Sequence, residues 1–251
     1  MVTFQIASDL HIEYRNNEIH NPWDYITPEA DILILAGDIG SFYKINQLQL
    51  FLTELCSKFK YVLYVPGNQE YYTTDGHKPV KKNILDYRIF ELENKLDNLY
   101  ILNQNSFVID DVCITGCTLW SKPEIKLPKY LVRIYGITTE LYETYHEQDL
   151  KYIEKMMNFC QSNNLKLLVV THYCPTYLVL NGSKKRDRFV SLYISSLDHL
   201  LKKELVHTWV CGHIHRNFDL VTEHGTRIIG NQKGKPKDKI TDFQKTCLVE
   251  I

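Results

Sequence analysis

Short β-rich apolar runs recur along the chain with helix-like segments between them, and this alternation constrains the fold more than any other feature. The runs are Val2–Ala7, Ile32–Ala36, Tyr61–Val65, Val112–Gly116, Leu167–Thr171 and Thr208–Cys211. Between them, Leu48, Phe51, Leu52, Leu55, Cys56 and Phe59 share one helical stripe, Leu150, Ile153, Met156, Met157 and Cys160 a second, and Leu197, Leu200 and Leu201 a third. Strand-length apolar runs beside stripes of helical period are the signature of a layered α/β domain. Phe218–Val221, a turn at Glu223-His224-Gly225, Arg227–Gly230 and Thr246–Glu250 predict a hairpin and a closing strand, which would add antiparallel edges. No linker or repeat divides residues 1–251, so one domain is expected, with a loop or small insertion over 121–145 around Pro123 and Pro128.

The chemistry lies at the carboxyl ends of the runs. The first leads into Ser8-Asp9-Leu10-His11, the second into Gly37-Asp38, the third into Gly67-Asn68, the fifth into His172 and the last into Gly212-His213-Ile214-His215. Carboxyl ends of strands in open α/β sheets converge on one crevice, so these side chains are expected to meet there. Singly, most are ordinary turn residues. Together, imidazoles and carboxylates without a thiolate suit Zn, Fe or Mn rather than a structural zinc site. Four histidines, two aspartates and an asparagine exceed the needs of one ion. With Asp38 bridging they suffice for two divalent ions about 3.5–4 Å apart, an arrangement that clamps the attacking and leaving oxygens of phosphate esters.

In order, the chain reads Asp9-Leu10-His11, Gly37-Asp38, Gly67-Asn68-Gln69-Glu70, Thr171-His172 and Gly212-His213-Ile214-His215. This resembles the calcineurin-like metallophosphoesterase superfamily, with its D-x-H, G-D, G-N-H-E/D, later H and G-H-x-H. The likeness runs from Ser8 to Ile251. The local runs SDLHIEY, ILILAGDI, VPGNQEYY, THYCPT and GHIHRNFD are similar to small bacterial and viral members. The resemblance implies a four-layer α/β/β/α sandwich of two mixed sheets flanked by helices. It also implies one metal held by Asp9, His11, Asp38 and His215 and another by Asp38, Asn68, His172 and His213. The implied reaction is in-line attack on phosphorus by water that the ions activate.

Position 69 departs from the pattern. Where active members carry a histidine that protonates the leaving group or bonds the phosphate, this chain has Gln69, which donates hydrogen bonds but cannot deliver a proton. General acid–base groups contribute about 10²–10⁴ in rate, so turnover of poor leaving groups should suffer most. Three accounts stay open: an enzyme with another donor, a metal-containing binding or scaffold protein that has lost catalysis, or a replacement made to trap substrate. His146 is a candidate substitute that would touch substrate, although an exposed histidine at a helix start explains it better; His77 is a weaker one. Lys184, Lys185, Arg186 and Arg188 could meet phosphate or form a solvated basic loop. Lys233 lies just after the final hairpin. Tyr71, Tyr72, Tyr130 and Tyr173 could flank the crevice, for stacking or for packing.

Composition excludes more than it selects. Lys and Arg total 29 against 30 Asp and Glu, so no global field draws the chain to polyanions or membranes. The start, MVTFQIASDLHIEYR, lacks a basic leader, and no apolar stretch approaches a bilayer span. Cysteines number seven and sit mostly in apolar runs, and Cys113 and Cys117, in one predicted strand, would stand about 13 Å apart, too far to bridge. A reducing, cytoplasmic setting is expected. There is no G-x-S-x-G elbow, P-loop or dinucleotide fingerprint. The expected partner is a phosphorylated small molecule, a nucleotide or a nucleic-acid phosphodiester.

Overall fold

The structure, a computed structural model, describes residues 1–14, 20–180 and 188–251. Its first sheet is built from β1 (Thr3–Ala7), β2 (Ile32–Ala36), β3 (Tyr61–Val65), β4 (Leu99–Ile101) and β11 (Leu248–Glu250), in the order β11-β1-β2-β3-β4. The second contains β5 (Asn105–Ile109), β6 (Val112–Cys117), β7 (Lys166–Thr171), β8 (Thr208–Cys211), β9 (Phe218–Val221) and β10 (Arg227–Gly230), in the order β5-β6-β7-β8-β10-β9. Central strands run parallel, while β11, β5 and β9 pair antiparallel at the edges. The antiparallel edges expected near the carboxyl end are therefore present on both sheets.

Alternation within the strands explains why there are four layers. Ile32, Ile34 and Ala36 of β2, Leu63 and Val65 of β3, and Leu168 and Val170 of β7 share one core with Val210 and Ile229, between the two sheets. Their neighbours Leu33, Leu35, Val62, Tyr64, Leu167 and Val169 face outward into a second core with the helical stripes. Strands buried on both faces read as continuous apolar runs, which is how they appear in the sequence. Helix α1 (Ile45–Cys56) packs on β3 and on α2 (Lys82–Glu93), which covers β4, while α3 (Thr139–Ser162) lies over β6 and β7. The result is two mixed sheets flanked by helices.

Two expectations need correction. Leu197, Leu200 and Leu201 do not form a helix but surround a short 3₁₀ turn, Asp198–Leu200, because the chain is drawn at once into a bridge between Lys202 and Gly225. The irregular segment is shorter than 121–145, since Thr138 caps α3 by accepting from the Leu141 amide, and helix runs from Thr139. The elements α2, β4 and β5 are additional. Strand β5 is largely exposed, and α2 places Ile84, Tyr87 and Phe90 outward as well as Leu85, Ile89 and Leu92 inward, so neither shows a clean period.

Candidate metal centre

The carboxyl ends of β1, β2, β3, β7 and β8 meet at one edge of the sandwich, where the polar residues after each strand gather. Asp9, His11, Asp38 and His215 can offer ligand atoms within 4.8 Å of one another, and Asp38, His172 and His213 do the same beside them. Asn68 joins the second group, its Oδ1 standing 3.0 Å from His172 Nε2. Every metal-ligand candidate read from the sequence therefore lies in one place.

The backbone is bent sharply to achieve this. Asp9, His11, Asp38, His213 and His215 all have positive φ, between 50° and 72°. Non-glycine residues rarely occupy this region, and such strain persists where surrounding contacts enforce it, typically at functional sites. Glycine is required beside them for a different reason. A Cβ on Gly37 would overlap the His172 ring, and one on Gly67 would overlap the Asp38 carboxylate. The Gly-Asp and Gly-Asn pairs therefore let ligands from other strands approach closely.

Hydrogen bonds orient the ligands from behind. His11 Nδ1 donates to Glu13 Oε1 at 3.0 Å, His215 Nδ1 donates to the Asp238 carboxylate, and His172 Nδ1 donates to the Ala36 carbonyl at 2.9 Å. Asp9 is held by the Ser8 hydroxyl and the His213 amide, and Asp38 by the Gln69 amide at 2.8 Å. Glu70 anchors the loops. Its buried carboxylate accepts the amides of Asp38, Ile39 and Gly67 and the Tyr64 hydroxyl at 2.6–3.1 Å. Burial and Asp38 press Glu70 toward protonation. Four donors and no acceptor around it fit the carboxylate form better.

These tautomers test whether cations fit. With Nδ1 turned to a carboxylate in both His11 and His215, the two Nε2 atoms face each other at 3.0 Å, and His215 Nε2 also stands 3.2 Å from Asp9 Oδ1, so both nitrogens would present lone pairs only where a cation replaces the proton that Asp9 otherwise draws to His215. Around His172 Nε2, three acceptors converge: Asn68 Oδ1 at 3.0 Å, His213 Nδ1 at 3.1 Å and Asp38 Oδ1 at 3.3 Å. One proton can satisfy only one of them, whereas a cation satisfies all. Burial opposes charge on His172, yet Asp38 and Asp9 outweigh it and push its pKa up to about 10. Burial likewise opposes the charge on Asp9 and Asp38, but the neighbouring histidines hold both carboxyls below their usual range. The donor set is hard-to-borderline nitrogen and oxygen, which fits divalent Mn, Fe or Zn.

Known proteins resemble this chain. Residues 2–217 match the family described as Calcineurin-like phosphoesterase. The chain belongs to that family. An uncharacterized protein of Acanthamoeba polyphaga mimivirus is 24% identical to this phosphoesterase, covering 100% of this chain and 97% of its own. Among solved structures, phosphopantetheinyl hydrolase from Mycobacterium tuberculosis superposes with a TM-score of 0.70 at 16% identity, covering 94% of this phosphoesterase and 90% of that chain. A dimetal phosphatase from Danio rerio gives 0.56 at 12% identity, covering 91% and 86%. At these identities the two structures speak for the fold.

Above the candidate ligands opens a crevice of about 660 Å³. Among the described residues, Gln69 and Asn68 line it near the centre, and Arg216, Lys235 and Lys237 supply its positive charge. Leu131, Val132, Val190, Leu192 and Ile194 form an apolar wall, with the rings of Tyr72, Tyr142, Tyr173 and Tyr193. Tyr173 also stacks on His213, ring centroids 4.0 Å apart.

Not every sequence candidate reaches this crevice. His146 is not an exposed helix-start residue and does not line the crevice: it is buried partway along α3, its Nδ1 bonded to the Trp120 carbonyl. The helix starts well before it, which turns its ring into the core. His77 bonds Thr74 in an exposed turn, Tyr130 is exposed, and Tyr71 is wholly buried. Arg188 lies over the Phe189 ring, whereas Lys184, Lys185 and Arg186 lie outside the described residues. Lys233 contributes its amide to the Ser8 carbonyl, and Lys235 is the lysine that lines the crevice. Glu13, Glu70 and Asp238 escape sequence reasoning, although Glu70 stands in the Gly67-Asn68-Gln69-Glu70 run.

Proposed function

We propose that this phosphoesterase hydrolyses phosphomonoesters or phosphodiesters with two divalent ions, Mn, Fe or Zn, in a cytoplasmic setting. Asp9, His11, Asp38 and His215 would hold one ion and Asp38, Asn68, His172 and His213 the other. Bound there, the ions would polarise a phosphoryl oxygen and lower the pKa of water toward neutrality. The observation that carries the reading is the pair of ring nitrogens at 3.0 Å whose opposite nitrogens are both committed to carboxylates.

The chain's own residues do the remaining work. Asn68 orients the phosphoryl group beside His172, and Gln69, whose amide nitrogen is bonded to Asp38, presents its side chain to the crevice. A side-chain amide there binds a phosphate oxygen but leaves a departing alkoxide unprotonated. Gln69 also favours a second reading, a metal-containing binding or scaffold protein. The discriminating experiment assays purified protein with Mn²⁺ on p-nitrophenyl phosphate and bis-p-nitrophenyl phosphate, beside Gln69→His. Metal-dependent cleavage that rises in the variant is expected. No cleavage by either protein, with two ions bound, would establish the scaffold.

A further inference from the structure

Among the described residues, the crevice combines a cationic side with an apolar and aromatic side and offers few groups acidic enough to give up a proton. Apart from the candidate ligands, no described histidine lines it, and Asp238 is engaged by His215. The remaining proton-bearing groups are tyrosines, lysines and an arginine, types whose ordinary pKa values of about 10 or more make them poor proton donors near neutrality. Gln69 donates hydrogen bonds only. An alkoxide, close in basicity to the hydroxide of water with its pKa of about 15.7, leaves slowly from such a site. A phosphate, with a second pKa of about 6, leaves as an anion without help. Arg216, Lys235 and Lys237 supply charge for a second phosphate, and the wall of Leu131, Val132, Leu192 and Ile194 supplies cover for an apolar body.

We propose that the preferred substrate is a phosphoanhydride, a diphosphate ester with an apolar or ring-bearing substituent, cut between its two phosphates. This rests on the hydrolase reading above. Water's oxygen forms the new bond to the terminal phosphorus. The bridging P–O bond breaks, its electron pair staying on the departing organic phosphate, and one proton of water remains on the released phosphate while the other passes to product or solvent. The side chains of Arg216, Lys235 and Lys237 receive the departing phosphate, and the apolar wall holds its substituent.

Hexyl diphosphate and hexyl phosphate share the apolar body and differ only in what leaves, so the full chain loaded with Mn²⁺ should be assayed on both. Hexyl diphosphate is expected to release phosphate at least about 10²-fold faster, and Gln69→His to narrow that ratio by accelerating the monophosphate. Binding supplies a second readout. By calorimetry, Lys237→Ala, an exposed replacement, should weaken hexyl methylenediphosphonate roughly tenfold and hexylphosphonate much less. Lys235→Met should do the same. Equal cleavage of the two hexyl compounds, or equal weakening of the two phosphonates, overturns the anhydride assignment and leaves the hydrolase reading standing. Failure of both wild type and Gln69→His to cleave either compound removes the hydrolase reading and the anhydride with it.

Discussion

The two halves of the candidate metal centre share Asp38 but are backed differently. In one, the Nδ1 atoms of His11 and His215 both lean on carboxylates, Glu13 and Asp238. In the other, His172 leans on the neutral Ala36 carbonyl, and His213 Nε2 is buried with no hydrogen-bond partner among the described residues. A carboxylate behind an imidazole raises its basicity and fixes its tautomer more strongly than a carbonyl does. The first half should therefore hold its ion more tightly. The second, whose His213 stacks under Tyr173 at the crevice, should exchange its ion more readily. Binding of the second ion would then be the step most sensitive to metal supply.

The largest effect should come from the shared residue. Asp38→Asn removes charge from both halves and should lower activity by on the order of 10³-fold, with bound metal falling in emission analysis. If only one ion is lost, Asp38 does not bridge, and the two halves are independent. Next in size is Glu70→Gln. Its carboxylate oxygens each accept two hydrogen bonds, so an amide, even with its NH₂ on the side where the Tyr64 hydroxyl can turn to accept, opposes the buried Ile39 amide donor and loses the charge that all four donors share. A loss of roughly 2–5 kcal/mol in denaturant unfolding is expected, and because Glu70 holds the Asp38 loop, both ions should weaken together. Selective weakening of one would show that the loop serves one half alone.

Much of the fold, and the gathering of the candidate ligands, is legible in the sequence, for physical reasons. Strands β2, β3, β7 and β8 are buried on both faces and read as largely continuous apolar runs, and these strands and β1 each lead into a candidate ligand. Strand β5 and helix α2 lack that signal because much of each faces solvent. His146 defeats the sequence reading because the start of α3 depends on the Thr138 cap rather than on the apolar stripe. Glu13 and Asp238 are hidden for another reason. Asp238 reaches His215 from a turn after β10, and nothing in local spacing marks an acid as the partner of a distant imidazole. Ligands at strand ends leave a pattern, whereas the residues that orient them need only be near in space.

The two supporting acids allow the finest test. Carboxylates behind metal-bound imidazoles typically contribute about 10–100-fold in metal affinity. His11 is almost wholly buried, so Glu13→Gln leaves its Nδ1 dependent on a neutral amide, with little water to substitute. Chelator competition should show one ion weakened toward the upper end of that range, with the other unchanged. Asp238 differs because it is partly exposed, with a side-chain accessibility of 24%, and His215 retains 16%. Water can replace the lost acceptor there, and an asparagine oxygen can still accept either His215 or the Lys235 amide. Asp238→Asn should thus weaken the same ion by only about tenfold. A larger loss than for Glu13→Gln would mean that charge, rather than exclusion of water, governs the first half. Weakening of the second ion instead would reverse the ranking of the two halves.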